Sequence, residues 1–184
     1  MRFDRLDATA MPGPLGLAFT AVFVALVVWA ALKDATSLTI PNRLTLALAA
    51  AFVPAALAAG LPWEGWALAL GTCGALLIVG MVLFALRVMG GGDAKLFAAC
   101  GLWLGLSASA PFLLWTGVAG GVLATALLIG RNLAQYAPGF GPRWVQRLLT
   151  RGEGVPYGVA IAAGALAAFP ASAVGRAFLG AGAA

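Results

Sequence analysis

Long uncharged runs, separated by short clusters of charge, glycine and proline, organise this chain from end to end. Residues 15–32 form an uncharged stretch of 18 residues, within the roughly 17 to 25 that a helix needs to cross the hydrocarbon core. After it, Ile40-Pro41 forces one extended residue and then permits a helix start, because proline is tolerated at the first helical position. A second span is therefore expected over residues 42–59. The turn Gly60-Leu61-Pro62-Trp63-Glu64-Gly65 carries a tryptophan suited to a membrane interface, and a third uncharged span follows over residues 66–86. Residues 96–130 hold no charge either, but as one helix they would reach about 50 Å, too long for a single crossing. Ser107-Ala108-Ser109-Ala110-Pro111 is the expected break, leaving a fourth span of about a dozen residues, short enough to begin inside the membrane, and a fifth over residues 112–130. Residues 155–175, rich in alanine and glycine that allow close helix contact, form the sixth.

Composition agrees with that pattern. The 184 residues are 62% hydrophobic and 9% charged, with a mean hydropathy of +1.00, far from a soluble domain of this size. The fold expected is all-α: one membrane-embedded domain over residues 1–184 with about six transmembrane helices. Basic residues test the count. Lys33, Arg43, Arg87, Lys95, Arg131, Arg143, Arg147 and Arg151 fall on one side of a six-span chain, against Arg2, Arg5 and Arg176 on the other. Positive charge marks the cytoplasmic side, so both termini are expected on the external, periplasmic side, with residues 1–14 an external tail and 131–154 a basic cytoplasmic loop. Joining the fourth and fifth spans would move four loop arginines outside, so the charges also favour the break. Within that loop, residues 143–149 are expected either as a small interfacial helix or as a solvated segment. The acidic residues Asp4 and Asp7 near the start, and the lack of a small-residue cleavage site after residue 32, favour a retained first span over a removed signal peptide.

Several chemistries are excluded. No histidine is present, which removes the usual general base, a common metal ligand and any serine-histidine triad. Cys73 and Cys100 lie far apart in apolar stretches and read as small buried hydrophobes. The net charge of +5 is spread between apolar spans rather than gathered with aromatics, so no nucleic-acid partner is expected. The lipid bilayer is the environment of the chain.

Carboxylates are the acid-base groups that remain, and the chain has six acidic residues in all. Two of them, Asp34 beside Lys33 and Asp93 in Gly90-Gly91-Gly92-Asp93, stand at the edges of apolar spans, where ionisable groups are costly and usually functional. The second and third spans form an out-and-back hairpin between them, so both return to one face. Two carboxylates that share a proton can hydrolyse a peptide bond: the ionised one draws a proton from water and the protonated one donates to the scissile carbonyl. Gly90, Gly91 and Gly92 suit a backbone that unwinds or admits another chain closely, such as an extended substrate strand. Asp93, at a helix start near Lys95, is expected to take the ionised role and Asp34 the protonated one. Taken singly, each aspartate also reads as a plain helix-end residue.

Three ordered segments bear on that choice: Asp34 with Ile40-Pro41-Asn42, then Gly90 to Lys95, then Val155-Pro156-Tyr157-Gly158-Val159 running on to Gly164. Together they resemble the type IV prepilin peptidases, the membrane aspartic peptidases with a GxGD motif, and in particular their short, Flp-pilus-type branch (TadV/CpaA-like). The resemblance implies an endopeptidase of the inner (cytoplasmic) membrane that removes the basic leader of a prepilin at the cytoplasmic face. Asp34 and Asp93 would be its catalytic pair, with no metal and no cofactor. It implies supporting or substrate-binding positions at Gly90, Gly91, Gly92, Lys95, Pro41, Asn42, Pro156 and Tyr157. The longer, bifunctional members carry an added cytoplasmic segment with paired cysteines and also methylate the new N-terminus; this chain has neither feature, so cleavage alone is expected. Two other readings stay open: another GxGD intramembrane aspartyl protease, or a small proton- or cation-coupled transporter component in which the aspartates bind the ion.

Overall fold

The computed structural model describes residues 13–136 and 141–180, and every described element is helical. The expected external tail over residues 1–14, with its arginines and aspartates, lies outside the described residues apart from its last two positions. Among the described residues eight α-helices follow one another: α1 Pro14–Ser37, α2 Asn42–Ala58, α3 Trp63–Ala85, α4 Gly91–Leu104, α5 Ser109–Leu133, α6 Arg143–Leu148, α7 Tyr157–Ala168 and α8 Ala173–Leu179. Three uninterrupted helical stretches among them are long and apolar enough to cross a bilayer: α1, α3 and the 31 residues Leu106–Tyr136 that contain α5. A fourth is reached if α7, its following 3₁₀ turn and α8 are taken as one span bent by 65°. The shorter α2 is apolar throughout, at 17 residues. This is an all-α protein built for a membrane.

Local chemistry sets the boundaries. α1 runs past residue 32, where charge first appears, and takes Lys33 and Asp34 into its last turns. The Thr36 and Ser37 hydroxyls there donate to the carbonyls of Leu32 and Lys33, both at 2.7 Å. The helix stops where Leu38 takes a left-handed conformation (φ 53°) and returns its N–H to the Asp34 carbonyl at 2.8 Å. The break between α4 and α5 falls slightly earlier than the sequence predicts. Gly105, at φ 58° and ψ −174°, occupies a region open in practice only to glycine. Pro111 instead sits in the first turn of α5, where its missing N–H costs nothing.

α4 is the hub. It is only 14 residues long, packs against α2, α3, α7 and α8, and is buried from Leu96 to Leu104. A helix too short to span the bilayer is tolerated there because protein rather than lipid surrounds it. At its far end Trp103 donates its indole N–H to the Leu48 carbonyl at 2.9 Å. Phe23 stacks on Phe169 at 4.6 Å and lies 5.0 Å from the tilted ring of Trp103. Where helices cross most closely, glycine makes room: a Cβ at Gly80 would lie 3.0 Å from Ala94 of α4, and one at Gly164 would collide with Thr116 of α5. Such small-residue contacts are how helices associate when lipid removes the hydrophobic drive.

Candidate active site

Five helix ends meet at one end of the bundle: the C-termini of α1 and α3 and the N-termini of α2, α4 and α7. Asp34 arrives on the last turns of α1 and Asp93 on the first turn of α4; their exposures are 3% and 5%. The out-and-back hairpin of α2 and α3 brings them to the same end, as the span pattern requires.

Each carboxylate is held by the start of a helix. Asp93 is the third residue of α4, and its Oδ2 accepts the Gly90 N–H at 3.0 Å, closing half of a capping box. Asp34 Oδ2 accepts the Gly158 N–H at 2.7 Å, across 124 positions of chain. Gly158 is the second residue of α7, so its N–H is one of the four amides that a helix start leaves without an internal partner. Asp34 thus meets a helix start too, that of α7, as Asp93 meets that of α4. Asp93 Oδ1 is buried and has no hydrogen-bond partner among the described residues, and an unpaired carboxylate oxygen is costly where water is excluded.

Both aspartates line a cavity of about 190 Å³, walled otherwise by residues 38–40 and 90–92. Each wall follows a helix end turned by a non-glycine residue in the left-handed region: Leu38 at φ 53° after α1 and Arg87 at φ 59° after α3. Such residues store backbone strain, and strain of this kind gathers at functional sites. The glycine triplet does not unwind the helix. Gly90 is the N-cap, and Gly91 and Gly92 are the first residues of α4. The chain admitted closely is the protein's own: a Cβ at Gly92 would lie 3.1 to 3.3 Å from Ile40 Cβ and backbone.

The other expected positions divide. Lys95 does not reach Asp93; its Nζ donates to Asn42 Oδ1 at 2.8 Å, and both residues line a neighbouring groove instead. Pro41 is the exposed N-cap of α2. Pro156 is buried as the N-cap of α7, and the Tyr157 ring turns toward Gly120 of α5. Pro41, Pro156 and Tyr157 thus shape helix starts without lining the cavity. Sequence reasoning missed Gly158 as a donor. Its signal was a glycine directly after Pro156-Tyr157 at a helix start, where Asp34 Oδ2 and Cβ and Ile40 Cδ1 leave 2.8 to 2.9 Å for a Cβ.

The basic loop folds over the same end. Arg131 donates to the carbonyls of Leu148, Glu153 and Gly154. Arg147 reaches the Ser37 carbonyl at 3.4 Å and lies 3.7 Å from the Glu153 carboxylate. Residues 143–148 are helical as α6, which packs against α1. Among the described residues no third histidine, cysteine or acid stands near the aspartates to complete a metal-binding cluster of three.

A sequence model of the type IV leader peptidase family matches residues 21–125, a stretch that holds both aspartates and ends within α5. No curated protein and no solved structure matches the chain.

Proposed function

The chain belongs to the type IV leader peptidase family, and from that premise we propose that it is an aspartic endopeptidase removing the leader of Flp-like type IV prepilins at the cytoplasmic face of the inner membrane. The observation that carries this reading is the pair of buried carboxylates, from α1 and α4, opening on one cavity with an Asp93 oxygen left unpartnered.

In the proposed reaction the two carboxyls hold one proton between them. A water bound between the acids gives its proton to the ionised carboxylate and attacks the scissile carbonyl carbon, while the protonated partner donates to the carbonyl oxygen. The tetrahedral intermediate then returns that proton to the acid as its C–O double bond reforms. The C–N bond breaks, and the amine leaves with the proton that the water gave up. Gly158 keeps Asp34 aimed, because its amide can be satisfied only while α7 stays packed against α1. The reading includes cleavage without methylation, six spans with α4 starting inside the membrane, both termini outside, and Asp34, Asp93 and the loop around α6 at the cytoplasmic face.

The decisive experiment is processing of a co-expressed prepilin by the wild-type chain and by Asp34→Asn and Asp93→Asn, which keep shape but cannot share the proton. Each substitution is expected to lower the rate at least ~100-fold. Full processing by either variant rejects the mechanism. Reporter fusions after Arg147 and near Gly65 test the topology, with cytoplasmic and external signals expected respectively; the reversed result rejects the shared cytoplasmic face.

A further inference from the structure

The proposed chemistry depends on the Gly158 N–H reaching Asp34, yet the chain that leads into α7 has no regular structure to hold it. Residues 149–156 form no helix, and backbone carbonyls outside helices must find partners elsewhere. Arg131, in the last turn of α5, provides them. Its Nε donates to the Leu148 carbonyl at 2.9 Å, and its Nη2 to the carbonyls of Glu153 and Gly154 at 2.8 and 2.9 Å. Leu148 closes α6, so its carbonyl is among those that a helix end leaves without an internal partner. Gly154 stands one helical turn of chain before Gly158. One side chain therefore ties both the end of α6 and the approach to α7 onto α5.

The same face of α5 meets the start of α7 a second time. At about 100° per residue, Gly120 lies on the side of α5 that carries Arg131, about three turns earlier. There a Cβ would come within 3.7 Å of the Tyr157 ring, so Gly158 is braced just before and one turn before its amide. Arg131 itself does not line the cavity, and among the described residues no carboxylate lies within salt-bridge distance of it. What it offers is a planar fork with fixed N–H directions, which a lysine of equal charge lacks. Arg151, in the same loop, differs: it is exposed and donates to the Asn132 side chain at 3.1 Å.

We propose that Arg131 is a positioning residue for the aspartate pair: by clamping the carbonyls of Glu153 and Gly154 it fixes where α7 begins, and so holds the Gly158 N–H on Asp34. This rests on the peptidase reading. Because Arg131 faces the loop and not the cavity, it acts on the chemical step, and its loss should lower kcat while KM holds.

The test compares the purified full-length chain and its variants, reconstituted in vesicles, on one prepilin, with rates taken per folded molecule. Arg131→Gln and Arg131→Lys should each lower kcat about tenfold, the order expected for a sub-ångström shift of reacting groups, with KM within about twofold of wild type. Arg151→Gln removes the same charge from the same loop and should leave both constants unchanged. A double variant separates positioning from general damage. If Arg131 acts through Gly158, adding Arg131→Gln to Gly158→Ala should lower kcat less than about twofold beyond Gly158→Ala alone. A further tenfold fall shows independent effects and overturns the proposal. So does an Arg131→Lys chain as active as wild type, which would make charge and not the fork the cause, or a loss that appears in KM. Arg131 variants that do not fold would show that Arg131 holds the fold instead of the site, and that result overturns it too. Wild-type cleavage with unaffected Arg131 variants removes this inference and leaves the peptidase reading intact; a wild-type chain that cleaves no prepilin ends the peptidase reading itself.

Discussion

At one end of the bundle α1, α4 and the turn after α7 contribute Phe23, Trp103 and Phe169, buried and stacked on one another. About 15 Å along the same three helices they contribute Asp34, Asp93 and Gly158, also buried, but with a cavity beside them and a carboxylate oxygen unpaired. Burial alone does not distinguish the two ends; what fills the space between the helices does. The aromatic end fills its space with rings, and the buried Trp103 indole N–H is matched by the Leu48 carbonyl at 2.9 Å. The aspartate end is assembled from helix starts and left-handed turns, which supply unpaired amides and strained backbone instead of packing. Stability is therefore expected to reside in the first region and chemistry in the second.

Substitutions can break that division or sharpen it. The largest effect is expected from Gly158→Ala, whose Cβ would press against Asp34 at 2.8 Å. Displacing the carboxylate should cost on the order of 10²-fold in processing rate, with the thermal transition of the purified protein almost unmoved; a large loss of stability would show that the aspartate end also holds the fold. The pH profile comes next. Because one proton must be shared, activity should fall below the lower macroscopic pKa, where both acids are protonated, and above the upper one, where neither is. Each limb should approach about tenfold per pH unit, and a flat profile in vesicles would exclude the dyad.

At the other end, Trp103→Phe keeps an aromatic ring but removes the indole N–H that donates to the Leu48 carbonyl. It should destabilise the protein by about 0.5–1.5 kcal/mol in denaturation measurements while processing per folded molecule stays unchanged. The smallest effect is expected at Gly91→Ala, where a Cβ would make ordinary contact with the Phe84 ring at 3.6 Å. Rate and stability should both stay within about twofold of wild type, in contrast to Gly158 at the same site.

Much of the helical order was legible in the chain. The start of α2 after Ile40-Pro41, the short α4 and the start of α7 after Pro156 follow from proline geometry and the lengths of uncharged runs, whereas residues 143–149 read equally as an interfacial helix or a solvated segment, and the structure makes residues 143–148 helical. The break after α4 was legible in kind but displaced, because Gly105 ends the helix before Pro111 begins the next. Asp34 and Asp93 stood out because acids are scarce at membrane depth. The roles given to their neighbours were less legible. Lys95 was expected near Asp93 on closeness in sequence, yet helical rotation turns it toward Asn42. The glycine triplet suited either an unwound backbone or the close approach of another chain; it caps and starts α4, lines the cavity, and at Gly92 admits Ile40 closely.

By itself the sequence determined the all-helical class, the breaks and the two acids, since these depend on local backbone preference and on the cost of charge in an apolar run. Only the tertiary structure decided that Asp34 caps α7 through Gly158 and that Lys95 turns to Asn42 beside a separate groove. Those relations join residues up to 124 positions apart through the rotation and close approach of packed helices, which no local pattern encodes.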